Sequence, residues 1–511
     1  MIDNNIRHTK TNTYKLQQLR THHQSSHIPI LQNLNPPQDM KRAEVAIIAT
    51  PTMGNLLPTI EFATHLTNHP NHHISVTILT ISMPQWPLIL NYLQSHTSTD
   101  RIRFIHLPPP HTPPPNHYPS IIEYLSLYIQ NHKPIVQQTL KNLPLPLAGF
   151  FVDMFCTSMI DVANDLNIHC YLYFASPAAY LSFVLHLTTL PVTESTVDSV
   201  NQEAEERQLI VPGFRNPVPS IAFPLFCINK KERGYSWFVR HALRYKETKG
   251  IVVNTFRELE PYALDSLWSD NNLPPVYPIG PVVDHVGPVK WHPNRSMHEK
   301  VIQWLDRQPD FSVVFLCFGS MGSLNRAQVR EIATGLERTG YRFLWSLREP
   351  GKTKIELPND YEKLEEDLFP DGFIDRTAEI GLVCGWVSQV SVLAHKAIGG
   401  FVSHCGWNSI LESISYGVPI ATWPLYGEQH LNAFEMVKEV GLSVEIRLGK
   451  GGDLVLADEV ERGVRELMDG GDGELRKKVQ EMSEMSKMAL LRNGSSFQAL
   501  ETLMGNLLSK V

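Results

Sequence analysis

Short runs of β-branched and apolar residues alternate with longer amphipathic stretches along most of this chain. Ala43 to Thr50 (AEVAIIAT) is one such run; it ends in Pro51-Thr52-Met53-Gly54-Asn55, and behind it Leu57, Ile60, Phe62, Ala63 and Leu66 follow a helical pattern. This predicts a strand, a glycine turn and a helix. Ile74 to Ile81 and Arg103 to Leu107 predict two more strands, and the region Tyr118 to Asn142 predicts helical segments. Ala148 to Val152 predicts a buried strand that delivers Asp153 at its carboxyl end, and Ile168 to Phe174 predicts another. In the apolar segment that follows, Tyr180, Phe183, Leu185 and Leu187 suit either a core or the wall of a pocket. Gly250 to Glu260 (GIVVNTFRELE) again runs from strand into helix start.

Between Asn271 and Pro288 the composition shifts to Pro, Gly and Val, which predicts a linker. The alternation then resumes. Ser312 to Phe318 predicts a strand, Gly319-Ser320-Met321-Gly322-Ser323 a turn, and Arg326 to Arg338 a helix. Tyr341 to Leu347, Ile380 to Gly385, Phe401 to Ser403, Pro419-Ile420 and Leu442 to Ile446 predict further strands, with a helix over Leu431 to Val440. Two amphipathic helices, about 457–469 and 474–509, close the chain, with a break near Asn493-Gly494. Strands alternating with helices predict an α/β fold with two doubly wound, Rossmann-like parallel sheets. The expected boundaries are an extension over 1–39, a first domain over 40–270, a linker over 271–288, a second domain over 289–490 and a final helix over 491–511. The polar stretch 193–207 and the charged stretch 349–366 are expected at the surface, and the Pro-rich stretch 108–115 equally at the surface or lining a pocket.

Composition narrows the classes. At 511 residues the chain is too long for one ordinary core, and two α/β domains of about 200 to 250 residues are its natural division. A net charge of −7 with 19% charged residues carries no basic footprint for nucleic acid. The six cysteines form no C-x-x-C pair and fall mostly in apolar runs, as buried free thiols of a reducing compartment would. No apolar stretch is long enough to span a membrane, and a cytoplasmic monomer is the expectation. Residues 1–39, rich in Asn, His, Gln and Thr, lack a secretory apolar segment and read as a disordered extension, with a transit peptide as the alternative. His22, His23 and His27 lie in that extension without cysteine partners, so metal binding there is not expected. Gly449-Lys450-Gly451-Gly452 lacks the spacing of a phosphate-binding Walker loop.

Candidate chemistry concentrates between Trp386 and Gln429. Phe401-Val402-Ser403 ends in His404-Cys405-Gly406-Trp407-Asn408-Ser409 and passes into Ile410-Leu411-Glu412. This is a strand, a tight turn and a helix start, where free N–H groups favour a phosphate and His404 and Ser409 add donors. Glu412, one turn inside, suits a ribose diol; Trp386 offers a stacking face and Gln389 a donor and an acceptor for a base. Glu428-Gln429 suits sugar hydroxyls. Each element alone is common in α/β proteins. Together, a Trp-x-x-Gln, a His-Cys-Gly-Trp-Asn-Ser-x-x-Glu and a closing Glu-Gln resemble the signature of plant secondary-product glycosyltransferases, the family 1 enzymes that use UDP-sugars. Residue by residue, the resemblance implies that Trp386, Val387 and Gln389 hold uracil and ribose. His404, Gly406, Asn408, Ser409 and the main chain of Trp407 would hold the diphosphate, with Ser320 as a further phosphate contact. The Trp407 ring would wall the sugar, Glu412 would take the ribose, and Glu428 and Gln429 the hexose. Gln429 and Trp407 favour UDP-glucose over galactose or glucuronate donors. Lys396 stands where the family usually has Pro, which alters a turn. The implied fold is GT-B, two facing Rossmann-like domains with the donor in the second, a small-molecule acceptor in the first and the last helix crossing back. No cofactor or metal is implied, and no Asp-x-Asp triplet lies near the donor stretch.

One position departs from the pattern. The family loop after the first strand reads Pro-x-x-Gly-His-x-x-Pro, its His being the general base; here Pro51-Thr52-Met53-Gly54-Asn55-Leu56-Leu57-Pro58 keeps the frame and puts Asn55 at the base position. An amide cannot take a proton at neutral pH, although the partner carboxylate is present as Asp153. Three readings stay open. The first is an inverting glucosyltransferase for an acceptor that needs little help, a carboxylate or an acidic phenol, with Asp153 itself a candidate for the proton. The second is a UDP-sugar binder without transfer, and the third is sugar removal or reversal in the same cleft. His65, His69, His72 and His73 read as solvent-exposed residues of a helix and its end. A dinucleotide-dependent reductase is the competitor from another class, but neither glycine turn is a complete G-x-G-x-x-G.

Overall fold

The computed structural model describes residues 42–509 apart from 84–85, 114, 191–207, 229–232, 288–294, 352–357, 362–365, 448–453 and 471–472. The extension over 1–39 with its histidines, the stretch 193–207 and the Gly449–Gly452 run therefore lie outside the described residues. Lys41–Val511 forms one unit.

A first sheet of seven strands is built from β1 (Arg42–Ile48), β2 (His73–Ile81), β3 (Ile102–Leu107), β4 (Leu147–Asp153), β5 (Cys170–Phe174), β6 (Ile251–Val253) and β7 (Val276–Pro278), in the order β3-β2-β1-β4-β5-β6-β7. Every ladder is parallel. A second sheet of six follows, with β8 (Val313–Cys317), β9 (Arg342–Ser346), β10 (Gly381–Cys384), β11 (Ile398–Ser403), β12 (Ile420–Thr422) and β13 (Ser443–Glu445) in the order β10-β9-β8-β11-β12-β13. It too is parallel throughout. Both orders reverse direction at one point, between β1 and β4 and between β8 and β11. In open α/β sheets ligands bind in the crevice at such a switch point, outside the carboxyl ends of the strands.

Central strands covered by helices on both faces must be apolar throughout, and β5 and β8 are buried along their whole length. Phe62, on helix α1 (Met53–Asn68), stacks on Tyr173 at 4.6 Å and meets Phe151 edge-on at 5.3 Å. In the second sheet Phe315 stacks on Phe401 at 5.2 Å. Tyr180, Phe183, Leu185 and Leu187, on helix α2 (Ala178–Leu187), are all buried in the first core. The core reading of that segment holds for these four side chains.

One expectation changes, and one surface stretch carries more structure than a plain loop. The stretch expected as linker contains β7, the edge strand of the first sheet, parallel to β6. An edge position tolerates prolines, because one side of the strand needs no ladder. The charged stretch after Glu349 also contributes structure, since Asn359–Asp360 pairs antiparallel with Arg348–Glu349. The last helix, α6 (Ser495–Leu508), lies against the first sheet: Leu503, Met504 and Leu507 are fully buried in its core. Gly149 makes this possible, because a Cβ there would stand 2.7 Å from Leu507 Cδ2 and 3.1 Å from Tyr171.

The two halves also meet through a pair of buried glutamates. Burial pushes the Glu260 carboxyl upward, and hydrogen bonds from the Ala178 and Ala179 amides at the start of α2, at 2.9 and 2.7 Å, oppose that shift. Glu435, in the single π-turn after α5 (Gln429–Phe434), is buried beside it. Burial, the neighbouring Glu260 charge and a hydrogen bond to it push the Glu435 carboxyl well above the ordinary carboxylate range. Glu435 therefore carries the proton and donates to Glu260. Because the folded protein holds a proton that the unfolded chain releases, stability falls as pH rises above the ordinary glutamate range. Glu435→Gln keeps the donor and removes the titration. Its thermal midpoint should exceed that of the native chain at pH 8.5 by a margin that shrinks toward pH 5; a constant margin across that range would place the proton elsewhere.

Candidate active site

The first switch point is organised by Asp153, at the end of β4. The Thr50 amide and hydroxyl donate to its two oxygens at 2.7 Å each, and the Phe155 amide donates at 2.9 Å. Burial pushes the Asp153 carboxyl upward, and these donors work against that shift. The carboxylate is only 2% exposed. Its bonds fix the end of β1 against the end of β4, and direct proton removal from an acceptor by Asp153 does not fit a carboxylate so enclosed. Asn55 lies in the first turn of α1, half-buried, and its amide oxygen accepts from the Thr52 hydroxyl at 2.7 Å. What it has left to offer is its NH2 group.

The histidines further along are not the exposed residues expected from sequence. His69 is buried and His65, His72 and His73 are half-buried. Burial drives His65 down to about 4.

The second switch point is built by the turns after β8 and β11, which interlock. Gly319 takes φ +75°, and a Cβ on it would stand 2.6 Å from the His404 ring, so only glycine lets the two turns meet. Cys405 is also left-handed, at φ 63°, a strained conformation for a residue with a side chain. Helix α4 (Trp407–Tyr416) begins there, after Gly406, and no side chain caps its first N–H groups. These amides are open to an anion. His404 is buried and its Nδ1 has no hydrogen-bond partner among the described residues. Burial lowers its pKa to about 4, which leaves a neutral ring that can donate one N–H.

Around this turn the predicted residues fall into groups. On α3 (Gln389–Leu393), the Gln389 amide donates to Ser409 Oγ at 2.8 Å and to Glu412 Oε2 at 2.6 Å. Burial raises the Glu412 carboxyl to about 8, opposed by the Gln389 bond and aided by the Asp284 charge. Trp386 is half-buried with its amide donating to Asp360 Oδ1 at 2.8 Å, and Val387 beside it is buried. Ser320 is exposed in the turn after Gly319. Gln429 is buried, its carbonyl accepting from the Leu425 and Tyr426 amides at 2.9 and 3.0 Å, which leaves its NH2 group. Glu428 is half-buried, and burial raises its carboxyl. The loop carrying this pair borders His404, whose ring centroid lies 6.3 Å from that of Tyr426. Lys396 is in a turn and pairs with Asp310 at 3.1 Å.

Two residues at the start of α4 cross to the first domain. Asn408 Nδ2 donates to the Gly54 carbonyl at 3.0 Å, next to Asn55. The Trp407 indole is buried and donates to the Asn254 carbonyl at 2.7 Å. Its ring is thereby committed to the seam between the domains, which does not fit a wall for the sugar; its backbone remains at the helix start. Sequence reasoning missed Asn254 and Asp360. Asn254 directly follows β6 and so sits at a strand's carboxyl end, a signal that was available. Asp360 lies in a polar stretch without periodicity.

Comparisons with known proteins bear on the fold and the family. The model of the family described as UDP-glucoronosyl and UDP-glucosyl transferase matches residues 153–472. A UDP-glycosyltransferase 43 from Pueraria montana var. lobata is 52% identical over 92% of this chain and 100% of its own. A UDP-glucose flavonoid 3-O-glucosyltransferase 6 from Fragaria ananassa is 43% identical over 90% of this chain and 98% of its own. Among solved structures, a Medicago truncatula glycosyltransferase complexed with UDP-glucose superposes with a TM-score of 0.83 at 41% identity, covering 91% of this chain and 98% of that one. With two Rossmann-like sheets whose switch points face each other across Asn408 and Gly54, the chain belongs to the UDP-glycosyltransferase family of enzymes and has their GT-B fold.

Proposed function

We propose that this chain transfers glucose from UDP-glucose, with inversion, to a small phenolic, flavonoid or carboxylic acid acceptor whose reacting oxygen is acidic. The observation that carries the proposal is the Asn408–Gly54 hydrogen bond, which brings the uncapped start of α4 to the first turn of α1, where Asn55 lies. The diphosphate binds at that helix start with the neutral His404 donating to it, Ser409 beside it and Ser320 opposite. Asn408 turns from Gly54 to the phosphate when the donor enters. Uracil stacks on Trp386, whose backbone Asp360 holds, with Val387 and Gln389 at the base. Glu412 takes the ribose, while Glu428 accepts from the hexose hydroxyls and the Gln429 NH2 group donates to them. The similarity to a flavonoid glucosyltransferase and to a UDP-glucose complex supports this choice of donor and acceptor class.

In the reacting complex the acceptor oxygen forms a bond to the anomeric carbon while the bond from that carbon to the diphosphate breaks. The departing UDP carries the developing charge onto the amides of α4 and His404. The acceptor proton has no base in Asn55 and none accessible in Asp153. It leaves to solvent from an already acidic hydroxyl, and the Asn55 NH2 group holds the resulting oxyanion in line.

UDP release from UDP-glucose over acceptors of graded acidity tests this. The native chain should turn over acidic phenols and carboxylic acids, with rates that rise as pH passes the acceptor's own pKa. Asn55→His should flatten that dependence and speed weakly acidic alcohols by about 100- to 10,000-fold. A native chain that stays silent while Asn55→His is active would instead mark a donor-binding protein without transfer.

A second test addresses the diphosphate. Losing one hydrogen bond to a charged group, worth about 1.5 to 3 kcal/mol, corresponds to about 10- to 100-fold in affinity. His404→Ala should weaken UDP by that factor. Gly319→Ala should do nearly the same with His404 intact, since its Cβ displaces the ring; unchanged UDP binding in a folded Gly319→Ala would remove His404 from the phosphate.

A further inference from the structure

Far from the cleft, at the other end of α1, His69, His72 and Glu501 converge. Glu501 projects from α6 onto the turn that follows α1. Its Oε1 is 2.9 Å from His72 Nε2 and its Oε2 is 3.3 Å from His69 Nε2. The three ligand atoms all lie within 4.8 Å of one another. His69 is 94% buried, as its exposure of 6% states, yet its Nε2 makes no hydrogen bond of proper geometry. Phe497 stacks on the His69 ring at 4.7 Å, the His72 ring lies 5.3 Å away, and Asn71 Nδ2 donates to Glu501 Oε2 at 2.9 Å.

A histidine–carboxylate hydrogen bond accounts for His72 but leaves the His69 nitrogen unexplained. We propose that His69, His72 and Glu501 form a binding site for a zinc-class divalent cation that fastens the C-terminal helix to the end of α1. With bonds of about 2.0 to 2.2 Å, neighbouring ligand atoms of a tetrahedral zinc lie about 3.3 to 3.6 Å apart. The separation of 3.3 Å between His69 Nε2 and Glu501 Oε2 already has that value. Two imidazoles and one carboxylate suit zinc and its transition-metal neighbours, whereas calcium and magnesium require oxygen ligands. A water fills the fourth position, and Asn71 orients the carboxylate from outside the metal's own ligands. Loading places the His69 proton on Nδ1, so the 3.4 Å contact from the Asn71 amide to that atom opens.

The full chain, stripped with a chelator, is titrated with zinc alone against a chromophoric competitor, and with cobalt to read the visible band of a histidine-bound ion. The N-terminal histidines require a control, the triple variant His22→Ala, His23→Ala, His27→Ala. The native chain and the triple variant should each bind one ion that His72→Ala and Glu501→Gln bind at least tenfold more weakly. Zinc should raise the thermal midpoint of the first two and not of the others. Zinc bound equally by the native chain, His72→Ala and Glu501→Gln would overturn the site, as would binding lost only in the triple variant or no binding at all. Glu501→Gln keeps the size and the hydrogen-bonding capacity of the side chain, so a fold failure in His72→Ala leaves the comparison intact.

Discussion

Two hydrogen bonds from consecutive residues at the start of α4 join the halves of this molecule, Trp407 to the Asn254 carbonyl and Asn408 to the Gly54 carbonyl. They bear on function because of where they start and land. α4 begins at the switch point of the second sheet; Gly54 belongs to the first turn of α1, at the switch point of the first, and Asn254 directly follows a strand of that same sheet. A carbonyl buried between two domains must be satisfied, and leaving one unpaired costs about 1 to 3 kcal/mol. The Trp407 bond is enclosed and has the character of a fixed joint. The Asn408 bond is more exposed, so its partner is the replaceable one. The same helix start thus holds the domains in register and presents its amides to whatever anion enters between them.

The rest of the cleft follows from keeping that start open. An ordinary helix would close its first turn with a Ser, Thr, Asp or Asn side chain. Here Gly406 stands at the cap, a left-handed Cys405 turns the chain toward it, and Gly319 from the neighbouring turn clears room for the His404 ring. Each feature costs stability locally, and the unpartnered His404 nitrogen adds to that cost. The strained backbone and a buried ring nitrogen without a partner among the described residues both fit the anion site proposed at this helix start.

Most of the scaffold was legible because parallel strands covered on both faces are largely apolar, and β1, β4, β5, β8 and β11 announce themselves by their apolar runs, although β1 also carries a buried Glu44. β7 escaped because its three residues sit among prolines, a composition that reads as linker and that only an edge strand tolerates. The donor stretch was legible as a motif, yet side-chain direction was not. Whether the Trp407 ring faces the sugar or the other domain depends on the Asn254 carbonyl, more than 150 positions away. Asp360 was invisible for the same reason: its effect on Trp386 passes through space, from a stretch without a periodic pattern.

The substitution at Asn55 acquires its meaning from its neighbours. The carboxylate that the resemblance assigns to orienting a histidine base has no histidine at that position here. Asp153 instead keeps three donors from Thr50 and Phe155, so it holds the loop in shape without any base to orient. Thr52 fixes the Asn55 amide by donating to its oxygen, which leaves the NH2 group as the end still available. A fixed amide donor cannot remove a proton, but it can stabilise an oxygen that has already lost one. On the proposed reaction, the missing base at Asn55 would therefore select acceptors by their acidity.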